Sequence, residues 1–491
     1  MARGDVSHAG GRRAARRAPR RRRTGRWVAL AVVLVLGGTA AAAYQLGWVD
    51  YAQDTWFAEE APPPAPEPEG LDLPEVVTPA AVAAPVEATA PGPAKVRRAI
   101  SGPLGDDDLG PHVVAGVAPV GGGETVWTQG SGAFIPASTT KLLTSTAALD
   151  VIDPETRFAT RVVAGGDGRI VLVGGGDPLL ASDPAAAEED YADGADIRTL
   201  ARRTAAALKA DGQTRVRLGY DDSLFTGPAV NPAWEADYVP DGVVSPITAL
   251  WVDEGRPADG IGRVADPSFS AAQAFADGLR KEGITVRGRP AHGTAGATGA
   301  ELARVQSPPL REIVEHLILI SDNEATEVVA RQVGLAVSGE GSSAAGVRDV
   351  MATLTALGVD LADSRIYDGS GLSRQGRLTA SALLTTLQAA GDPAHPALAT
   401  VVGGLPVAGF TGSLTTRFDE GAADRGLGRV RAKTGTLTGV SSLAGVATGV
   451  DGTGMVFVVA ADRIDPVDTL GARAALDRAA SALGACACGA G

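Results

Sequence analysis

Cysteine is almost absent from the 491 residues: Cys486 and Cys488 stand one residue apart near the C-terminus. That spacing matches no structural zinc pattern and is poor for a disulfide, so the sequence predicts no role for either. The five histidines, His8, His112, His292, His316 and His395, are scattered. No H-E-x-x-H pair occurs among them, and no metal or other cofactor is expected. His316, on an apolar stretch, reads as a structural histidine. A G-x-S-x-G nucleophile elbow is missing as well, which removes the α/β-hydrolase plan. Gly174-Gly175-Gly176-Asp177-Pro178 looks like a phosphate loop but lacks its lysine and hydroxyl residue. No segment repeats.

Charge is missing from residues 27–49, a run long enough to span a bilayer. Trp27, Tyr44 and Trp48 flank it as interface anchors would. Ten arginines and one aspartate fall in residues 1–26, which places this basic tail in the cytoplasm and the body outside. The run reads as a retained membrane anchor, with a signal peptide cut after Ala41-Ala42-Ala43 as the alternative; in both cases the body is exported. Net charge is −13 overall, but without the tail the body has 34 basic against 56 acidic side chains. Such a body is a poor partner for nucleic acid. Residues 50–98 are rich in Pro, Ala and Glu, too polar to fold and inclined to polyproline II. At about 3.1 Å per residue this linker reaches on the order of 100 Å from the membrane.

Folding is expected to begin near Val96. Residues 112–119 and 124–129 read as a hairpin around Gly121-Gly122-Gly123, and 157–164 with 169–174 as another strand pair. Helices are expected at 196–211 and 268–282, with strands at 214–219 and 284–289. Residues 308–320 form a strongly apolar helix, followed at once by a second over 324–334 and by others near 345–357 and 378–390. The last segment reads as strands 428–436, 441–448 and 454–462, then helix 466–483, with Gly435, Gly439, Gly449 and Gly452 as punctuation.

Three short motifs sit at telling places in that order. Ser138-Thr139-Thr140-Lys141 opens a helix, which puts Lys141 one turn beyond Ser138 on the same face. A serine hydroxyl needs a neighbouring base, and a desolvated lysine can serve. Ser321-Asp322-Asn323 falls on the tight connection between two helices. Lys433-Thr434-Gly435-Thr436 lies in a strand, where a glycine marks close approach by another group. S-x-x-K, S-D-N and K-T-G in this order are the joint signature of penicillin-binding proteins and class A β-lactamases.

The chain thus resembles a penicillin-binding protein, and more narrowly the class C, type-4 D-alanyl-D-alanine carboxypeptidases of peptidase family S13. GGGDPLL from Gly174, DSLFTG from Asp222, YDGSGLSR from Tyr367 and LPVAGFTGSLTTRF from Leu405 match that group too. The resemblance covers roughly residues 99–485. It implies an α/β (α+β) fold of the serine β-lactamase/penicillin-binding-protein transpeptidase type. The catalytic domain would comprise residues 99–156 and 300–485, a smaller α/β domain would be inserted at 157–299, and 486–491 would form a tail. The insertion looks shorter than in the best-known members.

By the same resemblance Ser138 is the nucleophile, Lys141 its base, and Ser321 the group that passes a proton to the leaving amine. Asn323 would bind the substrate amide, and Lys433, Thr434, Gly435 and Thr436 the terminal carboxylate. The N–H groups of Ser138 and Thr436 would form the oxyanion hole. Arg374 would hold the stem peptide's diaminopimelate side chain, with an acidic partner in Asp237 or Glu235. The implied partners are peptidoglycan stem peptides and, as covalent inhibitors, β-lactams. Three other readings stay open: an endopeptidase, a β-lactamase of the same fold, and a non-catalytic wall-binding relative. The β-lactamase reading lacks the E-x-x-L-N loop, since no Leu-Asn pair follows Asn323.

Overall fold

The computed structural model describes residues 89–190, 194–257, 260–296, 299–419 and 421–490. The basic tail 1–26, the uncharged run 27–49 and nearly all of the linker lie outside these residues. Among the described residues no helix is long and apolar enough to cross a membrane.

Helix α1 (Pro93–Ile100) opens on a proline, whose missing N–H would have no partner in a first turn anyway. It buries Val96 and Ile100 completely, so order begins ahead of the expected boundary at 98. The proline-rich composition hid an amphipathic turn. The expected free tail is corrected likewise. Cys486 and Cys488 form a disulfide across a turn that brings their Cα atoms to 5.0 Å, inside the ordinary range. Gly92 N–H then donates to Cys488 O at 2.7 Å and Ala490 N–H to Ala90 O at 2.7 Å, which ties the two ends of the domain together.

Strands β1 (Val113–Pro119) and β2 (Trp127–Gln129) form the expected hairpin. Helix α2 (Lys141–Val151) follows and is buried on nearly every face, Leu142, Leu143, Ala147 and Ala148 completely so. A helix enclosed all round lies inside a core rather than on it.

A second sheet comes next. It comprises β3 (Ala159–Ala164) and β4 (Arg169–Val173), then helix α3 (Ile197–Ala210), β5 (Arg215–Asp221), helix α4 (Pro267–Lys281), β6 (Thr285–Val286), β7 (Ala291–His292) and β8 (Glu301–Gln306). Strand order is β6-β5-β4-β3-β8, with β7 beside β5. Asp196 and Asp266 cap α3 and α4 by accepting from Thr199 N–H and Phe269 N–H. Both helices pack on the sheet around Leu200, Ala205, Phe275 and Leu279. Because β8 pairs antiparallel with β3, this layer closes at Gln306 and not at the expected 299. Strand β8 is half exposed and polar, so no hydrophobic run announced it.

The chain then re-enters the first layer through α5 (Leu310–Leu319), α6 (Asn323–Ser338), α7 (Ser343–Ala356) and α8 (Ala380–Ala390). It ends with β9 (Val430–Leu437), β10 (Val440–Thr448), β11 (Gly454–Ala461) and α9 (Thr469–Gly484). The five-stranded antiparallel sheet runs β2-β1-β11-β10-β9. Strands β10 and β11 are buried along almost their whole length, as strands covered on both faces must be. One face meets a core containing α2, α5, α6 and α8; the other meets α1 and α9. Strand β9 is left at the edge nearest the start of α2. Leu317, completely buried in the first of these cores, fixes the helix that leads into Ser321. Leu317→Ala is expected to cost about 2–5 kcal/mol, read as a lower urea midpoint at unchanged slope.

Candidate active site

Each of the three motifs sits on a backbone feature that aims it. Ala137, with φ +49°, turns the chain just before Ser138, and residues Ala137–Thr140 make one 3-10 turn leading into α2. Ser321 has φ +66°, a strained left-handed conformation between α5 and α6, while Asp322 caps α6 by accepting from Ala325 N–H at 2.9 Å. Gly435 must be glycine because a Cβ there would lie 2.5 Å from Pro136 O and 2.2 Å from Ser442 Oγ. The edge strand and the Ser138 turn are therefore in direct backbone contact. Ser442 Oγ donates to Pro136 O at 3.0 Å and fastens the same junction.

These turns bring together residues 182 positions apart in the chain. Lys141 Nζ lies 3.0 Å from Ser138 Oγ, 2.7 Å from Asn323 Oδ1 and 2.9 Å from Ser370 O. A charged lysine uses three N–H donors there. A neutral one gives its two N–H groups to Asn323 and Ser370 and keeps its lone pair for the Ser138 hydroxyl. On the other side, Lys433 Nζ donates to Ser321 Oγ at 2.7 Å and to Thr434 O at 3.0 Å. Thr434 Oγ1 lies 3.1 Å from Ser413 Oγ. Ser138, Ser321 and Asn323 are half-buried, Thr436 is exposed, and both lysines are completely buried.

Burial sets the charge states. It lowers Lys141 to about 8, although Asp322, Asp368, Glu327 and Glu324 pull the other way. Lys433 falls well below its ordinary value, through burial first and then the positive charges of Lys141 and Arg417. Arg417 is itself held by a buried ion pair to Asp477. Glu327, buried next to Asp368, is pushed up to about 7, while Ser370 N–H and O–H donate to it at 2.8 and 2.6 Å.

Ser138, Lys141, Ser321, Asn323, Lys433 and Thr434 meet as expected. Arg374 stands apart from them, half-buried, donating to Thr438 O at 2.9 Å just past the end of β9. Asp237 and Glu235 are exposed on the loop from the inserted layer that carries Tyr238. Burial, then Glu235, raises the Tyr238 phenol, with Arg374 opposing and Asp237 adding to the rise. All three charged residues thus act electrostatically on one phenol.

Sequence reasoning missed the supports. Asp368 accepts from Trp234 Nε1, Gly371 N–H and Ser373 N–H at 2.8, 2.9 and 2.6 Å, which rigidifies the turn whose Ser370 carbonyl binds Lys141. Gly371, at φ +84°, packs so tightly that a Cβ would lie 1.9 Å from Ala137 O. The DGSGLS stretch carries this signal in its glycine and aspartate, beside Arg374.

A serine activated by a buried lysine, with a second serine–lysine pair across the cleft, defines a serine acyl-transfer enzyme of the penicillin-recognising type. The sequence pattern of the D-Ala-D-Ala carboxypeptidase 3 (S13) family matches residues 96–259 and 256–483, and the chain belongs to that family of serine hydrolases. It is 34% identical over 435 residues to a carboxypeptidase of Mycobacterium tuberculosis, covering 87% of this chain and 90% of that one. A D-alanyl-D-alanine carboxypeptidase of an Actinomadura species is 30% identical over 67% of this chain and 74% of its own. Penicillin-binding protein 4 of Haemophilus influenzae shares the fold, with a TM-score of 0.63 at 19% identity over 79% of this chain and 97% of that one.

Because Lys141 loses its proton near pH 8 and only its neutral form accepts the Ser138 proton, acylation should accelerate with pH. The expected rise is about tenfold per unit on the acid side, levelling above roughly pH 8. The second-order rate constant for benzylpenicillin, measured across that range, checks this.

Proposed function

We propose that the chain is a D-alanyl-D-alanine carboxypeptidase that trims peptidoglycan stem peptides through an ester on Ser138. The contact of Ser138 Oγ with the buried amine of Lys141, whose proton is held less tightly than usual, carries this reading. Ser138 attacks the carbonyl of the penultimate D-alanine as Lys141 takes its proton, and the N–H groups of Ser138 and Thr436 receive the oxyanion. Ser321, bonded to Lys433, passes a proton to the amine of the departing D-alanine. Water then cleaves the ester and restores Ser138. Asn323 binds the substrate amide, and Lys433, Thr434, Gly435 and Thr436 hold the terminal carboxylate. Arg374, with Asp237 or Glu235, receives the polar end of the diaminopimelate side chain; the Tyr238 environment shared by these charges supports that placement.

Endopeptidase cleavage of a D-alanyl–diaminopimelate crosslink uses the same acyl-enzyme and a different leaving group. The reading also places the domain outside the cytoplasm, on a membrane anchor formed by residues 27–49. The Cys486–Cys488 disulfide supports an oxidising compartment.

Incubated with benzylpenicillin, the protein should gain one adduct that persists for minutes or longer, maps to Ser138 and is absent from Ser138→Ala. Release of D-alanine from a stem pentapeptide should vanish in the same variant. An adduct lost within seconds while penicillin is consumed would make the chain a β-lactamase. A folded protein that forms no adduct and releases no D-alanine would be a non-catalytic relative.

A further inference from the structure

A buried polar cluster lies directly behind the Ser321-Asp322-Asn323 turn, built mostly from a segment of the chain that touches no reacting atom. Its centre is Glu254, on a 3-10 turn Asp253–Gly255 that connects the second layer's β5 and α4. All three residues of that turn have left-handed backbones, with φ +48°, +54° and +70°. For two residues with side chains in succession this is a strained arrangement that its surroundings must enforce. It faces the other strained turn, at Ser321.

The two turns meet through their carboxyl groups. Glu254 and Asp322 are each 7% exposed, and Glu254, Asp322 and His316 bring one side-chain atom apiece within 4.8 Å of one another. Asp322 Oδ2 is enclosed, 3.6 Å from His316 Nε2, while its other oxygen caps α6. Arg256 pairs with Glu254, and Ser245 Oγ donates to the Glu254 carbonyl. The same segment also reaches Glu324. Arg263 donates to Glu324 Oε1 from Nε and Nη2 at 3.0 and 2.8 Å, and Ser245 N–H donates to that oxygen at 3.3 Å. Ser245, Glu254 and Arg263 therefore lie against both neighbours of Asn323, the residue that accepts from Lys141.

We propose that Glu254 is a positioning residue for acylation, acting through Asp322 to hold the strained turn that presents Ser321 and Asn323 to the two lysines. The inference rests on the serine peptidase reading above. Two carboxyls buried within 4.8 Å of one another do not readily both ionise. Burial and the Asp322 charge push Glu254 well above the usual carboxyl range, which favours its protonated form beside Asp322. Asp322, although buried, is held far below that range by its neighbours Glu254 and His316 and by the hydrogen bond from Ala325 N–H. The remaining charges around the pair are Arg256, Arg263 and Glu324 beside it, and Lys141, Glu327 and Asp368 toward the cleft. Asp322 is the foremost of the carboxylates that support the charge on Lys141, so a change at Glu254 reaches the catalytic amine. Glu, His and Asp are also donors for a divalent cation, but Arg256 already brings a positive charge to this cluster.

The test compares full-chain Glu254→Gln, which keeps volume and a donor, with Glu254→Leu, which keeps volume alone. Acylation by benzylpenicillin is separated into its binding constant and first-order step and followed against pH, with thermal midpoint and metal content measured on the same samples. Glu254→Gln should stay within about twofold of the parent, and Glu254→Leu should slow the first-order step about tenfold or more with little change in binding. In Glu254→Leu the acid limb of the pH profile should also move to lower pH, because Asp322 gains a proton more readily and supports Lys141 less. Parental rates and pH profile in Glu254→Leu would overturn the proposal, as would equal losses in both variants. A stoichiometric bound metal would replace the pairing of the two carboxyls by ligation and overturn it as well. If Glu254→Leu does not fold, Glu254→Asp, which withdraws the carboxyl by one methylene, takes its place with the same expectations. Failure of the parent itself to be acylated would instead sink the peptidase reading.

Discussion

The enclosure of one amine governs this molecule. Lys141 stands at the first turn of a helix buried on nearly every face, and desolvation there outweighs four surrounding carboxylates. A buried ammonium is expensive, and the structure answers with acceptors in fixed places: Asn323 Oδ1, the Ser370 carbonyl and Ser138 Oγ. Each acceptor comes from a different element. The site can exist only if α2, the α5–α6 turn and the DGSGLS turn are all packed to native spacing. Chemistry and fold are thus one constraint here. The left-handed backbones at Ala137 and Ser321 are local departures that this packing sustains.

Two layers share that work. The five-stranded sheet supplies β9 and buries α2 against its neighbours, so the nucleophile rests on the most enclosed part of the chain. The second sheet contributes no nucleophile and no lysine, yet its connections reach back into the first layer repeatedly. Trp234 bonds to Asp368, Asn231 Nδ2 donates to Tyr367 O at 2.9 Å, and Arg263 pairs with Glu324. Buried polar bonds of this kind are costly to leave half-made, which gives the inserted layer a defined seat.

The parts of this arrangement legible in the sequence were those with local signatures. S-x-x-K, S-D-N and K-T-G are short and stand at a helix start, an interhelical turn and a strand, and all three were found where expected. Helices with strong apolar periodicity, such as α5, were legible for the same reason. What escaped notice depended on distant partners. Strand β8 is polar and pairs with β3 about 140 residues away. Glu254 and Glu327 look like any surface glutamate until burial and a neighbouring carboxyl are known. The Cys486–Cys488 bond is not legible from spacing alone, because spacing does not reveal the turn that brings the two Cα atoms to 5.0 Å. The start of order ahead of residue 98 is hidden in the sequence because prolines and alanines surround the two buried positions of α1.

The closure of the domain's ends has a mechanical meaning. Residues 90–92 and 488–490 run side by side, joined by main-chain bonds and by Lys95 Nζ donating to Gly489 O at 2.6 Å. Any pull transmitted along the chain from residue 88 is borne first by this clasp and by α1 lying against α9, not by α2 or β9. With residues 90–92 beside 488–490, the described domain is topologically close to a ring. Its start could be moved to another surface loop, and the old ends joined by a short bridge, without disturbing the packing around Lys141.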